Sequence, residues 1–103
     1  MRILIKSENI DLPSESRSFI EKKVGKLRKY FSEIIESHVT LKKEKYRYVT
    51  EITLHPKGVV LRGKGDAENL LSSFESALGK LEVRLRRWKE KISSHRAFHK
   101  GGL

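Results

Sequence analysis

The stretch Asp66–Ile92, DAENLLSSFESALGKLEVRLRRWKEKI, constrains this chain more than any other. Leu70, Phe74, Leu78, Leu81, Leu85, Trp88 and Ile92 recur at steps of three or four. On an α-helix that spacing gathers them into an arc of roughly 80°. Lys80, Arg84, Arg87 and Lys91 fall on an adjoining flank, roughly 260–320° round the same wheel from Leu70. One face of this helix therefore needs a core, and its flank offers a row of cations to something anionic. Asp66, Glu68 and Glu75 lie in the N-terminal half and the basic residues in the C-terminal half, a polarity that suits the helix macrodipole. The dipole does not call for six cations against two acids within Lys80–Lys91.

The remaining segments predict what covers that face. Arg2–Ser7 alternates around Ile3 and Ile5 as a strand does. Pro13 and Ser14 mark a helix start, where proline is tolerated and serine can cap. Ile20, Val24, Leu27 and Phe31 then keep helical spacing, with Lys22, Lys26 and Lys29 on the opposite face. Ser32–Ser37 is expected to be a turn or a fraying helix end. His38–Lys45 alternates through Val39 and Leu41, its exposed side made basic by Lys42, Lys43 and Lys45. Tyr46–Leu54 is rich in β-formers, after a tight turn near Glu44–Arg47. His55-Pro56-Lys57-Gly58 is a turn signal, and Val59–Gly65 predicts a fourth strand whose end Gly63 and Gly65 weaken. The expected order is β-α-β-β-β-α, an α+β two-layer sandwich with both helices packed on one face of a four-stranded sheet. This order resembles a double-stranded-RNA-binding domain with a strand added in front. The last three strands should be antiparallel, and the first, followed by a helical crossover, parallel to a neighbour. Residues 1–92 form a single domain in this reading, and 93–103 a flexible basic tail. With both helices side by side, Lys22, Lys26 and Lys29 are expected to merge with Lys80, Arg84, Arg87 and Lys91 into one basic surface.

Composition narrows the function. The 103 residues suffice for one modest core. With 23 Lys and Arg against 13 Asp and Glu, the net charge is +10, which points to nucleic acid or another anionic surface. No apolar run reaches the 18 or so residues of a membrane span, and the N-terminus turns polar too soon for a signal peptide. Cysteine is absent, so disulfides and thiolate metal sites are excluded. No nucleophile elbow, phosphate-cradling glycine loop or His-Glu-x-x-His motif occurs, so no enzyme and no cofactor is expected. His95 and His99 have helical chelate spacing but no third ligand, so no metal site is expected either. His38 and His55 read as surface residues. Phe31, Phe74 and Trp88 belong to core faces, and Gly63-Lys64-Gly65 resembles a phosphate contact only weakly and reads as turn geometry. The chain thus looks built to grip a phosphate surface rather than to read bases.

Four segments carry a family resemblance: Lys26-Leu27-Arg28-Lys29-Tyr30-Phe31, Val39-Thr40-Leu41-Lys42-Lys43-Glu44-Lys45, Thr53-Leu54-His55, and the helix pattern Lys80-Leu81-Glu82-x-x-Leu85-x-Arg87. In order and spacing, over residues 2–92, the chain resembles the short ribosome hibernation-promoting factors and ribosome-associated inhibitors of the sigma-54 modulation protein family. The resemblance implies a cytoplasmic, non-enzymatic partner of the small ribosomal subunit, monomeric when free. It implies occupation of the tRNA and mRNA channel near the decoding centre, which blocks translation in stationary phase or stress. Carried over by position, rRNA contacts are expected from Lys26, Lys29, Lys80, Arg87 and Lys91. Lys22 and Arg84 join them from the stripe pattern alone. The sequence departs from its relatives at Asn69, often aspartate, and at Ser72-Ser73-Phe74, often more apolar. Two other readings stand beside this one: a general double-stranded-RNA-binding module, and an adaptor for anionic membranes. The second is weakened because Leu85 and Trp88 are taken up by the core face, leaving no spare apolar surface for lipid.

Overall fold

The computed structural model describes residues 2–30, 34, 36–56 and 58–101, with side chains in the last helix described as far as Ile92. Strand β1 (Arg2–Glu8) leads to helix α1 (Ser14–Gly25), which tightens into a 3-10 turn at Lys26–Lys29. Strands β2 (Glu36–Glu44), β3 (Arg47–Leu54) and β4 (Leu61–Ala67) follow, and helix α2 (Leu70–Gly101) is the last described element. The sheet order is β1-β2-β3-β4. β1 runs parallel to β2 with Ile5 opposite Val39, while β2–β3 and β3–β4 are antiparallel. The expected α+β sandwich is the observed fold.

Strand alternation decides which side faces the helices. Val39 and Leu41 of β2 and Thr50, Ile52 and Leu54 of β3 are buried, whereas Arg2, Lys6, Arg62 and Lys64 point to the open face. Ile20, Val24 and Leu27 close over this layer from the α1 side, and Phe74, Ala77, Leu78, Leu81 and Leu85 from α2, with Trp88 packed partly buried against the same core. Phe19 meets Phe74 edge-on at 6.3 Å, which joins the two helices. Deleting most of a buried side chain such as Leu85 would cost about 2–5 kcal/mol.

Several boundaries differ from the sequence expectation. Asp66 and Ala67 belong to β4 rather than to the helix, and α2 starts after Asn69, whose Oδ1 accepts from Ser72 N at 2.8 Å. Gly63 and Gly65 do not end the strand. They let α2 lie against it: a Cβ at Gly63 would come within 2.8 Å of Leu81 Cβ, and one at Gly65 within 2.8 Å of Ser76 Cβ. Val59 and Val60 precede β4. Pro13, not Ser14, holds the cap position of α1, without a side-chain cap, and α1 is shorter than its apolar periodicity suggests. Ser32–Ser37 is not simply a turn, because Ile34 is a buried anchor and Glu36–Ser37 already pair with β1. Helical backbone runs beyond Ile92 to Gly101, past the domain boundary placed there, since loss of an apolar stripe ends packing and not necessarily the helix. Phe31, and the side chains of His95, Arg96, His99 and Lys100, lie outside the described residues.

The buried hydroxyls of α2 and β3 are paired. Ser73 Oγ donates to Leu70 O at 2.7 Å, so its single proton is used, and Thr50 Oγ1 at 2.8 Å must be the donor to Ser73 Oγ. This bond satisfies a serine hydroxyl within the core.

Candidate nucleic-acid interface

The sheet places the cations by a simple rule. β1 and β4 are its two edges. α1 packs on the β1 side and α2 over β3 and β4. Of the α2 wheel, Phe74 turns toward α1, while Ala77 and Ser73 lie on the glycines of β4. The flank beyond Ser73 therefore overhangs the outer edge of the sheet. Lys80 Nζ donates to Lys64 O at 3.0 Å, and Arg84 Nη1 donates to Arg62 O. Arg87 and Lys91 continue this flank and are exposed.

Lys22, Lys26 and Lys29 are also exposed, on α1 and the 3-10 turn. Lys26, Arg28 and Lys29 rim a shallow depression at Gly25. Lys29 Nζ lies 5.1 Å from the Tyr30 ring centroid, and Lys23 Nζ 5.4 Å from that of Phe19. The single merged surface expected from the sequence is not what forms. The two stripes lie on opposite margins of the helical layer. Between them runs the other shoulder of α2, which carries Glu75 and Glu82 together with Arg86 and Lys89, roughly 130–170° round the wheel from the cations. A helical wheel fixes angles within one helix and is silent about which flank meets the neighbouring helix.

Pairing separates these cations from Arg2, Lys6, Lys42 and Arg47. Among the described residues, none of Lys22, Lys26, Lys29, Lys80, Arg84, Arg87 and Lys91 has a carboxylate within 4.0 Å. On the open face of the sheet Arg62 and Lys64 are likewise without one among the described residues, but the other strand cations are paired. There Arg2 approaches Glu36 at 3.8 Å, Lys6 approaches Glu8 at 3.6 Å, Lys42 approaches Glu44 at 3.1 Å, and Arg47 meets Asp66. The hydrogen bond to Glu44, then the charges of Glu44 and Glu8, raise the Lys42 pKa above its ordinary value. The uniformly basic strand expected around Lys42, Lys43 and Lys45 does not form, because alternation separates Lys42 from Lys43 and Glu44 compensates Lys42. Lys43 Nζ sits 5.6 Å from the Tyr48 ring centroid.

Two of the histidines meet one another. His38 Nε2 donates to Glu36 Oε2 at 2.8 Å, and its ring meets His55 edge-on at 5.7 Å. Among the described residues, no group of three or more His, Cys, Asp or Glu is placed to hold a metal, and no helix is long and apolar enough to cross a membrane. Arg28, Arg62 and Lys64, exposed beside these stripes, are not among the contact residues expected from the sequence. The two in β4 were legible in principle, since the glycines at 63 and 65 must face the helix and so turn 62 and 64 outward.

Comparison with known proteins agrees with this architecture. The sequence model of the family described as Sigma 54 modulation protein / S30EA ribosomal protein matches residues 3–93. A ribosome hibernation promoting factor of Salmonella typhimurium is 28% identical over 95 residues, covering 92% of this chain and all of that protein. A ribosome hibernation promotion factor of Lactococcus lactis is 34% identical over 93 residues, which is 86% of this chain and 50% of the longer relative. Among solved structures, a ribosomal subunit interface protein of Coxiella burnetii superposes with a TM-score of 0.81 at 19% identity, over 87% of this chain and 99% of the other. The N-terminal domain of Thermus thermophilus Protein Y gives 0.79 at 22% identity, over 85% and 99%. At those identities the structural likeness bears on the fold alone.

Proposed function

Because this chain belongs to the Sigma 54 modulation protein / S30EA ribosomal protein family, we propose that it is a ribosome hibernation factor that binds the rRNA of the small subunit in the tRNA and mRNA channel near the decoding centre. Its relatives are named for ribosome hibernation, and the family comprises ribosome-associated factors rather than enzymes. Bound there in stationary phase or stress, it blocks translation by occupancy, acting in the cytoplasm and approaching the subunit as a monomer.

The observation that supports this reading is the set of exposed cations, without a carboxylate partner among the described residues, on the two sides of one helical layer, α1 toward β1 and α2 toward β4. Lys22, Lys26 and Lys29 hold one margin, and Lys80, Arg84, Arg87 and Lys91 the other. A body charged on two margins suits a cleft with two phosphate walls better than a flat surface. Each neutralised phosphate releases counterions, so about six contacts would give a log–log salt slope of about −4 to −5. A general double-stranded-RNA module would use the same chemistry but bind plain duplex as tightly as the subunit.

Co-sedimentation with purified small subunits, with and without bound tRNA and mRNA, tests the proposal. Binding that tRNA and mRNA displace supports the channel. Binding indifferent to them places the site elsewhere, and duplex RNA competing as well as the subunit supports the general module.

A further inference from the structure

The basic surface of α2 does not stop at the helix. β4 is an edge strand, and the carbonyls of its Arg62 and Lys64 accept hydrogen bonds from Arg84 and Lys80. Each of these bonds uses one donor of a group that has more: a lysine ammonium carries three and a guanidinium five. The remaining donors stay available, on heads now tethered to the strand rather than swinging from long side chains. The alternation that turns Gly63 and Gly65 to the helix turns Arg62 and Lys64 to solvent on the same edge. Arg62, Lys64, Lys80 and Arg84 consequently line one groove, which Glu51, Gly65 and Asp66 complete. Asp66 is already engaged by Arg47. Glu51 lies opposite Lys64 in the strand register but has no cation within 4.0 Å among the described residues. The groove keeps an excess of positive charge.

We propose that the free edge of β4 is a phosphate-binding saddle, in which Arg62 and Lys64 act with Lys80 and Arg84 on one stretch of RNA backbone. The proposal rests on the ribosome-binding reading above and extends its surface from the helices onto the sheet. The tether also serves the fold, since cations over an open strand edge discourage pairing with another chain. Edge protection alone would require nothing of the Arg62 and Lys64 side chains, because it is their carbonyls that accept the bonds. That difference makes the two roles separable.

The test is the double variant Arg62→Gln/Lys64→Gln in the full chain, compared with wild type for binding to purified small subunits across a salt series. Circular dichroism verifies the fold, and Arg62→Lys/Lys64→Arg serves as the charge-preserving control. The expected result is weaker binding at low salt and a log–log slope shallower by about 1.4–1.8, two phosphates' worth, with the charge-preserving variant close to wild type. A double variant with wild-type slope and affinity would overturn the saddle and leave edge protection as the role of these contacts. Absence of binding by the wild-type chain at low salt would overturn the ribosome reading and this proposal with it.

Discussion

Most cations on the open face of this sheet are paired, except Arg62 and Lys64 at the β4 edge, whereas those of the helical stripes are not. On the open face, Arg2, Lys6, Lys42 and Arg47 each stand within ion-pair distance of a carboxylate. On the margins of the helical layer, Lys22, Lys26, Lys29, Lys80, Arg84, Arg87 and Lys91 have no such partner among the described residues. The difference is not one of stability, because exposed pairs contribute only about 0.2–1 kcal/mol each. It is one of field: paired charges cancel within a few ångströms, while unpaired rows add. Lysine and arginine density alone would mark both surfaces as nucleic-acid sites, and pairing discriminates between them. The unpaired row also carries a cost. Like charges at i and i+4, as at Lys80 and Arg84 or Arg87 and Lys91, disfavour the helix by about 0.2–0.5 kcal/mol per pair. A bound phosphate would remove that penalty.

The comparison can be broken most decisively by charge reversal. Lys80→Glu/Arg84→Glu/Arg87→Glu should abolish small-subunit binding, a loss of at least about 100-fold from three phosphate contacts turned repulsive, while the circular dichroism spectrum stays native. Near wild-type affinity in co-sedimentation would defeat the assignment of the stripe. A core change should do the reverse. Leu85→Ala should lower stability by about 2–5 kcal/mol in urea titration, yet leave the salt slope of the folded fraction unchanged. The α1 margin comes next: Lys22→Gln/Lys26→Gln/Lys29→Gln should make the slope shallower by about 2–3, whereas an unchanged slope would confine binding to the α2 side. Thr50→Val removes the donor to Ser73 Oγ and should cost about 1 kcal/mol in the same urea assay, with no effect on subunit binding. The smallest effect belongs to the open face, where Lys6→Gln/Lys42→Gln should leave affinity within about twofold and stability within about 1 kcal/mol.

Much of this was legible in the residues. The α2 stripe announced both its core face and its cationic flank, because period and chemistry coincide there. The antiparallel meander and the parallel first strand followed from strand alternation and connection rules. What escaped were features without periodicity. Ile34 is a buried anchor that belongs to no strand or helix. Gly63 and Gly65 looked like strand breakers, and only the closeness of α2 shows that they are its seat. The direction in which Lys80 and Arg84 lean depends on which strand lies beneath α2, a tertiary fact absent from the helix's own sequence.

The most direct test of the central claim is a paired salt titration of small-subunit binding. One variant neutralises the helical flank, Lys80→Gln/Arg84→Gln/Arg87→Gln, and the other neutralises three cations of the open face, Arg2→Gln/Lys6→Gln/Lys42→Gln. The account predicts a slope shallower by about 2–3 for the first and a wild-type slope for the second. Equal losses from both faces would contradict it, since binding would then follow net charge rather than the unpaired cations of the helical margins.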